Sequence, residues 1–387
     1  MNTYEGGLEE MTGLNEIEGM ANVKVIGIGG GGCNAVARML TEQIHGVEFL
    51  CVNTDAQALM RSEAPTRIRI GNQISRGLGV GGNPEKGRQA AEESREELGE
   101  SLKESDMVFL AAGMGGGTGT GAAPVIAELA RNQGALTVAV VTRPFEWEGA
   151  HRRRRAEEGI DRLREKVDTL LVIPNDALVH VCDRKVTIGN AFRLADEVLR
   201  RAILAIAELI TVPGDINLDF ADVRAVMSNA GSAMMGVGWG KGDNRATDAA
   251  REAISNPLLD VSIEGATGVL FNITGGADLT LSEVDAAADI ISKAVDANAD
   301  IFFGMTTDTQ MENDVKITLI ATGFPSEQST EMADPETIGR LMQDRASQPA
   351  SAVEEDLDVP PFLRKPPQPK PQPEALPKVN QKLPIGF

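Results

Sequence analysis

A chain of 387 residues with 42% hydrophobic residues can bury one large core or two ordinary ones, and we expect two domains and a tail. Its formal net charge of −20 argues against a nucleic-acid-binding surface and is compatible with metal ions and basic partners. No apolar run reaches about 18 residues and the N-terminus is acidic, so we expect neither a membrane span nor a signal peptide. Cys33, Cys51 and Cys182 lack the paired spacing of a zinc site or a disulfide framework, which favours a reducing cytoplasm.

The first predicted strand and helix enclose a glycine-rich turn. Residues 23–26 form the short buried strand, and residues 34–41 form the helix. The turn satisfies the pattern G-x-G-x-x-G through Gly27, Gly29 and Gly32. Taken alone, this pattern favours a nicotinamide-dependent oxidoreductase, in which Asp55 after the next strand would hold a ribose.

A parallel, helix-flanked sheet is predicted for this half of the chain. A further glycine-rich turn at 76–84 leads into a charged helix at 85–98. Strands are predicted at 107–112, 136–142 and 169–174, with helices between them. Because loops at the carboxyl ends of parallel strands converge on one crevice, the glycine turns should surround one ligand.

The loop at 115–121 has five glycines and two threonines in seven residues. It lies between a predicted strand and a helix at 122–131, with Pro124 in the first helical turn. Unshielded backbone amides, threonine hydroxyls and a helix start form an anion site suited to a polyphosphate. The alternative is a flexible linker, although linkers are not normally held between a buried strand and a helix. Because no Walker-type lysine motif occurs, amides, a metal ion and an arginine would neutralise the phosphates.

The basic run after His151 has two interpretations. Arg153, Arg154 and Arg155 lie at helical spacing from the acids at 157 and 158, as is typical of a solvated helix face. The other interpretation is a role in ligand binding, and Arg152 is the candidate for that role.

A long helix predicted at 196–210 has apolar residues over most of its surface, so it should be buried between two domains. The segment after it, 217–223, carries Asp219 and Asp222. These carboxylates fit a capping box with Asp219 as the N-cap, and Leu218 with Val223 would form the hydrophobic staple. Capping alone and catalysis both remain open from the local sequence.

The rest of the chain divides in two. Residues 223–324 are predicted to form a second domain with a mixed sheet, from strands at 265–274, 301–304 and 316–322 and a helix at 281–295. Eleven of the nineteen prolines follow residue 326, so that segment cannot bury a core and should be disordered, as should the acidic residues 1–20. The segment after residue 326 contains an apolar island that is either a chance cluster or a motif that folds on a partner: Asp358, Val359, Pro360, Pro361, Phe362, Leu363 and Arg364.

Several of these motifs together resemble the tubulin/FtsZ family of GTPases, and in particular its bacterial cell-division members, over residues 21–324. The loop at 115–121 matches the family's signature loop. The supporting motifs are the first glycine turn ending in Asn34, the triplet 53–55, the run 81–84, Asn175-Asp176 and the segment 217–222. Cys33 departs from the family's small or amide residue, and we expect it to be buried and inert.

The resemblance implies roles for individual residues. Gly29 to Gly32 and Gly115 to Gly121 match the family's positions that hold the GTP phosphates. Glu148 and Arg152 match its positions on the ribose and phosphate side, and Asn34, Phe192 and Asp196 match those that hold guanine. The complete implied set for GTP is Gly29, Gly30, Gly31, Gly32, Asn34, Asn53, Asp55, Gly81, Gly82, Gly115, Gly116, Gly117, Thr118, Gly119, Thr120, Gly121, Glu148, Arg152, Asn175, Phe192 and Asp196. Mg²⁺ would be bound through the GTP phosphates, with no direct side-chain ligand.

The implied activity is GTP hydrolysis that depends on assembly. In FtsZ-like proteins the segment 217–222 enters the nucleotide pocket of the next subunit, so Asn217, Asp219 and Asp222 would activate the attacking water there. The resemblance further implies head-to-tail filaments in a cytoplasmic ring at midcell. Membrane-anchoring and regulatory division proteins would bind the island at 358–364. A proline-rich extension at 366–387 departs from relatives in which that peptide lies near the chain end.

The implied fold is α/β, with a Rossmann-like parallel-sheet GTPase domain (21–195), a central helix (196–212) and a smaller α+β domain with a mixed sheet (213–325). A linker (326–355), a partner-binding peptide (356–365) and the extension (366–387) would follow.

Two other hypotheses stand beside the GTPase. The oxidoreductase rests on the first glycine pattern alone, and a nucleotide-binding scaffold without catalysis requires Asp219 and Asp222 to be caps and nothing more.

Overall fold

The computed structural model of the chain describes residues 21–42, 46–181, 187–211, 214–216, 218–255, 263–309 and 311–324. The predicted N-terminal segment 1–20, the linker 326–355, the peptide with Asp358 to Arg364 and the extension 366–387 therefore lie outside the described residues, as do Cys182 and Asn217. No helix in the described ranges is long and apolar enough to cross a membrane.

The described strands form one ten-stranded sheet in the order β3-β2-β1-β4-β5-β6-β7-β10-β8-β9. They are β1 Val23–Ile28, β2 Val47–Asn53, β3 Thr66–Arg69, β4 Met107–Gly113, β5 Leu136–Arg143, β6 Thr169–Pro174, β7 Gly231–Lys241, β8 Gly268–Gly275, β9 Asp300–Thr307 and β10 Asp314–Thr322. Pairing is parallel from β3 to β7, whereas β10 runs antiparallel to both β7 and β8. The predicted fold class, a parallel sheet followed by a mixed one, is confirmed.

Helices cover both faces of the parallel strands. They are α1 Gly29–Met39, α2 Ala56–Met60, α3 Pro84–Glu93, α4 Arg95–Ser101, α5 Thr118–Asn132, α6 Ala150–Arg164, α7 Asn175–Val181, α8 Ile188–Thr211, α9 Phe220–Met227, α10 Arg245–Ile254 and α11 Leu281–Ala294. Alternation along β1 shows the two faces: Val23 and Val25 pack in one core with α8, while Ile26 and Ile28 pack in the other with α5.

Helix α8 is buried along one side against both halves of the sheet. Its residues Leu199 and Ile203 share a hydrophobic core with β1, and also with Leu270 of β8 and Ile320 of β10. The helix begins at Ile188, eight residues before the predicted start at 196. A capping bond that apolar periodicity does not reveal marks this start: the backbone N–H of Asn190 donates to the Thr187 hydroxyl at 3.3 Å.

The predicted extents of three other helices are wrong. Helix α1 begins at Gly29 and not at 34, so the glycine turn is largely the first turn of the helix. Helix α5 begins at Thr118, which places Pro124 inside the helix and not in its first turn. The single helix predicted at 85–98 is two helices, because Ser94 leaves the helical conformation at φ −104° and ψ 20°.

Candidate functional site

A cleft of about 550 Å³ lies where the parallel strands end. Its lining includes Ile28 at the end of β1, Gly113 at the end of β4, Thr142 near the end of β5 and Asn175 just after β6. The crevice at the carboxyl ends of parallel strands is the usual place for a ligand in an open α/β sheet. The volume lies in the range of small-molecule and cofactor sites.

Two helix N-termini meet at one end of this cleft. Helices α1 and α5 start at Gly29 and Thr118, and neither has a side chain that caps its first-turn amides. A Cβ atom added to Gly30 or Gly116 would meet no atom within 4 Å, so these glycines leave open space beside the amides. Unpaired N–H groups at two positive helix ends suit a polyphosphate.

Threonine hydroxyls hold the glycine loop at 115–121 in shape. The N–H of Gly115 donates to Oγ1 of Thr120 at 2.8 Å, and the hydroxyls of Thr54 and Thr118 lie 2.7 Å apart. Gly115 has a φ of +92°, a left-handed conformation that a side chain would strain. The turn is therefore preorganised by its own residues.

The other end of the cleft is more apolar and carries a half-buried carboxylate, that of Asp196. Asp196 lines it together with Asn34, Phe192 and Leu199. Burial raises the pKa of the Asp196 carboxyl to about 6, while the Arg38 guanidinium, 3.6 Å away, opposes that rise. A carboxylate here can accept two hydrogen bonds from a ligand that presents paired N–H donors, as guanine does and adenine does not.

Three aromatic rings support this apolar end. Phe145 is fully buried and stacks on Trp147 with ring centroids 5.4 Å apart. Both rings contact Phe192 edge to face, each with centroids 5.7 Å apart. Phe192 therefore lies at the cleft with its ring held by two neighbours.

An ion pair lies beside the cleft at the start of α6. Glu148 accepts a hydrogen bond from the N–H of Phe145 at 3.0 Å and pairs with Arg152 at 3.0 Å. The Glu148 side chain is only 5% exposed, whereas that of Arg152 is 44% exposed, so the guanidinium remains accessible to a ligand. Arg153 and Arg154 pair with surface acids, Glu146 and Glu158. The expectation of a solvated face is wrong for Arg155, which is half-buried and donates to the carbonyl of Gly82 in the glycine-rich turn at 76–84.

Most of the residues implied for GTP line this cleft. They are Gly30, Gly31, Asn34, Asn53, Asp55, Gly81, Gly116, Gly117, Thr118, Gly119, Glu148, Arg152, Asn175, Phe192 and Asp196. The lining omits Gly29, Gly32, Gly82, Gly115, Thr120 and Gly121. Close packing accounts for two of these glycines: a Cβ on Gly32 would lie 2.0 Å from the carbonyl oxygen of Ala111, and one on Gly121 would lie 2.0 Å from that of Pro84.

The lining also includes residues outside the set implied for GTP: Ile28, Thr54, Ala58, Leu78, Gly79, Val80, Gly113, Met114, Thr142, Pro144, Ala195 and Leu199. Leu78, Gly79 and Val80 belong to the glycine-rich turn at 76–84, which was predicted to face the ligand. Several of the others adjoin predicted residues at strand ends, and that position was the available signal. Leu78 is 85% exposed at the rim, a feature that no sequence pattern marks.

The carboxylates of Asp219 and Asp222 do not line this cleft. They form the predicted capping box: the N–H of Asp222 donates to Asp219 Oδ1 at 2.8 Å, and the N–H of Asp219 donates to Asp222 Oδ2 at 3.3 Å. Leu218 and Val223 are both buried in the same core, as the staple requires.

Helix α9 lies at the opposite edge of the sheet from the cleft. Arg224 donates to the carbonyl of Gly134, just before β5 begins, at 3.0 Å. The carbonyl of Met227 accepts from the hydroxyl of Thr169, the first residue of β6. Thr142 of β5 lines the cleft, six residues after Leu136 at the amino end of the strand, so roughly 20 Å of extended chain separates that end from the cleft.

The cysteine expected to be inert, Cys33, is buried. Its thiol donates to the carbonyl of Gly27 at 3.4 Å, and the neighbouring Cys51 thiol and burial raise its pKa. A thiol in this setting is a poor nucleophile.

Comparison with known proteins places these features in a family. Residues 22–183 match the Tubulin/FtsZ family, GTPase domain, and residues 231–325 match the FtsZ family, C-terminal domain. An empty FtsZ dimer from M. jannaschii is 48% identical with a TM-score of 0.74, over 78% of this chain and 88% of that chain. A single-substitution FtsZ mutant from the same organism is 48% identical with a TM-score of 0.75, over 80% and 92% of the two chains. CetZ2 from Haloferax volcanii, in a GTPγS-bound protofilament, shares the fold at 22% identity with a TM-score of 0.68. The match covers 84% of this chain and 99% of that chain.

Proposed function

Because the chain belongs to the tubulin/FtsZ family of GTPases, it binds GTP and GDP with Mg²⁺ and hydrolyses GTP, and we propose that it does so as a head-to-tail filament. In this proposal, the nucleotide in the cleft of one subunit is hydrolysed with the help of Asp219 and Asp222 of the next. The nicotinamide alternative and the scaffold without catalysis are both set aside by the match to a GTPase domain.

One observation carries the proposal: the cleft and the two carboxylates lie at opposite edges of the same sheet. Within one chain they cannot meet. Stacked copies would bring the α9 edge of one subunit against the cleft of another, and such a heterologous contact repeats without closing into a ring. The empty FtsZ dimer among the similar structures supports self-association.

Each end of the cleft has a proposed task. The amides at the starts of α1 and α5 would hold the phosphates, and Arg152 would approach them from the side. Asn34, Phe192 and Asp196 would hold guanine, with the ring of Phe192 against its face. The implied residues that do not line the cleft would set the shape of the glycine turns: Gly29, Gly32, Gly82, Gly115, Thr120 and Gly121.

The donor set in the cleft fits an Mg²⁺ ion carried by the nucleotide. Asp55 caps α2 through the N–H of Gln57, Glu148 pairs with Arg152, and Asp196 faces Arg38. With these carboxylates engaged, the phosphate oxygens are the best ligands for a hard cation. When bound, Mg²⁺ neutralises charge that develops on the phosphates during hydrolysis.

At the incoming subunit, Asp219 and Asp222 each use one carboxylate oxygen in the capping box. The other oxygen of each would accept a hydrogen bond from the attacking water and orient it toward the γ-phosphate. A capped helix start is a rigid support for such groups. The side chain of Asn217, which lies outside the described residues, belongs to the same proposal by its place in the loop.

We further propose that the filaments form the ring at the cell-division site and that Asp358 to Arg364 bind membrane-anchoring and regulatory division proteins. The match to both FtsZ-family domains supports the first part. The apolar composition of the island, with acid before it and base after it, supports the second.

Mixing two defective variants tests the shared site. Asp222→Ala chains keep an intact cleft, and Asp196→Ala chains keep an intact loop. Each variant alone should hydrolyse GTP poorly, whereas a random equimolar copolymer should regain roughly a quarter of wild-type turnover, because about one interface in four pairs an intact cleft with an intact loop. Sedimentation checks that both variants enter the filament. A mixture no more active than the average of its components would contradict the proposal.

A further inference from the structure

Residues 214–216, shortly before Asp219 in the chain, lie along the outer edge of β9. The N–H of Ile216 donates to the carbonyl of Met305 at 3.2 Å, and the N–H of Met305 donates to the carbonyl of Ile216 at 3.0 Å. This is an isolated antiparallel bridge between the segment and the strand. The hydroxyl of Thr307 donates to Oδ2 of Asp215, which adds a side-chain bond beside the bridge.

Strand β9 is the last strand of the sheet, paired on its inner side with β8. Its residue Gly304 allows the segment to lie close. A Cβ at this position would lie 2.8 Å from Asn272 Oδ1, 3.2 Å from Leu218 Cδ1 and 3.3 Å from the carbonyl oxygen of Ile216. Any side chain on Gly304 therefore has to displace the segment or the neighbouring strand.

The path from this contact to the carboxylates is short. Leu218 follows the bridge, is buried at 7% exposure and packs in the core beside α8. The next residue, Asp219, is the N-cap of α9 and binds Asp222 reciprocally. The contact with β9 thus holds residues 214–216, and the capping box holds Asp219 and Asp222.

We propose that β9 sets the position of Asp219 and Asp222 for hydrolysis in the neighbouring subunit, with Gly304 and Thr307 as positioning residues. This inference rests on the proposed function, because it assumes that these carboxylates act on the nucleotide of another chain. Displacements of about 1 Å in a catalytic group lower turnover strongly while leaving binding intact. A residue that only stabilised the fold would instead lower the melting temperature without a selective loss of kcat.

The test compares pairs of variants in filaments. Thr307→Val removes the hydroxyl at nearly constant volume, and we expect about fivefold lower kcat at saturating GTP, the loss of roughly one net hydrogen bond. Thr307→Ser should keep the wild-type kcat. Thr274→Val, on the adjacent strand β8, is the matched control and should not change kcat. GTP affinity and sedimentation should be unchanged in all three. Each valine variant loses one side-chain hydrogen bond and should lower the melting temperature by about 2–4 °C, so only the change in kcat separates Thr307 from Thr274.

A second pair tests the close approach at Gly304. Gly304→Ala should lower kcat at least tenfold with GTP affinity unchanged, whereas Gly275→Ala should not, because a Cβ there meets only side-chain atoms at 3.3 Å or more. If Gly304→Ala does not fold, the Thr307 series decides alone. Wild-type kcat for Thr307→Val, or an equal loss in Thr274→Val, overturns the inference.

Asp222→Ala in the same assay separates the two proposals. If Asp222→Ala abolishes turnover while Thr307→Val does not change it, the shared site stands and the role of β9 is wrong. If Asp222→Ala turns over GTP at the wild-type rate, both fail.

Discussion

Asp196 is the residue whose ionisation should govern GTP binding. Its folded pKa of about 6 lies above the ordinary value because burial disfavours the charged form. Guanine presents two N–H donors, so only the ionised carboxylate can accept both. Affinity should therefore be complete above pH 7 and be lost as the pH falls through about 6, reaching roughly tenfold weaker binding at pH 5.

Titration of GTP binding between pH 5 and pH 8 measures this dependence. Asp196→Asn should bind weakly at every pH, since it has no charge to lose. Arg38→Ala should move the midpoint to higher pH, because the guanidinium 3.6 Å away favours the ionised form. A pH-independent wild-type affinity would show that Asp196 does not recognise the base.

Asp222 combines a structural and a proposed chemical role, and substitution can separate them. Asp222→Asn keeps a side-chain oxygen for the N–H of Asp219, so the capping box should survive while the charge is lost. We expect turnover to fall at least a hundredfold with GTP affinity unchanged, because the carboxylate acts only in the assembled site. Helix α11 carries the same motif, with Thr280 and Glu283 in a capping box.

Thr280→Ala is therefore the matched control for a lost cap. It should destabilise the protein by about 1 kcal/mol and leave turnover unchanged. If Asp222→Asn retained wild-type turnover, the capping box would be the whole role of these carboxylates.

At the scale of elements, strand β7 shows what the sequence could not reveal. It was not predicted, because its sequence GSAMMGVGWGK is rich in glycine and glycine weakens a strand. In the structure, Cβ atoms on Gly236, Gly238 and Gly240 would lie 1.9, 2.0 and 1.8 Å from backbone carbonyl oxygens of α10. The glycines thus let a helix pack directly on the strand, a purpose visible only once both elements are in place.

This packing predicts a large stability effect. Gly238→Ala should destabilise the protein by about 1–3 kcal/mol, since the added methyl overlaps the carbonyl of Ala249. Gly189→Ala in α8 is the control, because its Cβ would meet no atom within 4 Å. The control should be neutral or slightly stabilising, since alanine favours helix. Denaturant unfolding monitored by circular dichroism measures both, and equal stabilities would contradict the packing argument.

The strongly patterned elements were predictable for a physical reason. Strands β4, β5 and β6 are predominantly apolar and almost wholly buried, so their positions follow from the sequence pattern to within a residue or two. The starts of α1, α5 and α8 did not follow, because glycines and polar residues continue these helices beyond their apolar periodicity. Where a helix begins with glycines or a cap residue, the packing around it decides which residue starts the helix.

At the scale of the whole molecule, the glycine loops could be placed at one crevice from the sequence, because strand order and parallel pairing bring carboxyl ends together. The position of Asp219 and Asp222 at the opposite edge could not be derived from spacing. It depends on the path of α8 and on how β7 adds to β6, a parallel contact that pairs Thr169 with Gly231. The resemblance suggested a shared site, and the described residues give it a geometric basis.

The central claim is that one chain holds only part of the hydrolytic site. GTP hydrolysis per molecule should be measured against protein concentration with Mg²⁺ present, with light scattering recorded on the same samples. The account predicts specific activity near zero at low concentration, rising together with scattering as subunits assemble. Constant specific activity across the whole range would mean that a single chain carries a complete site, and it would contradict the roles proposed for Asp219 and Asp222.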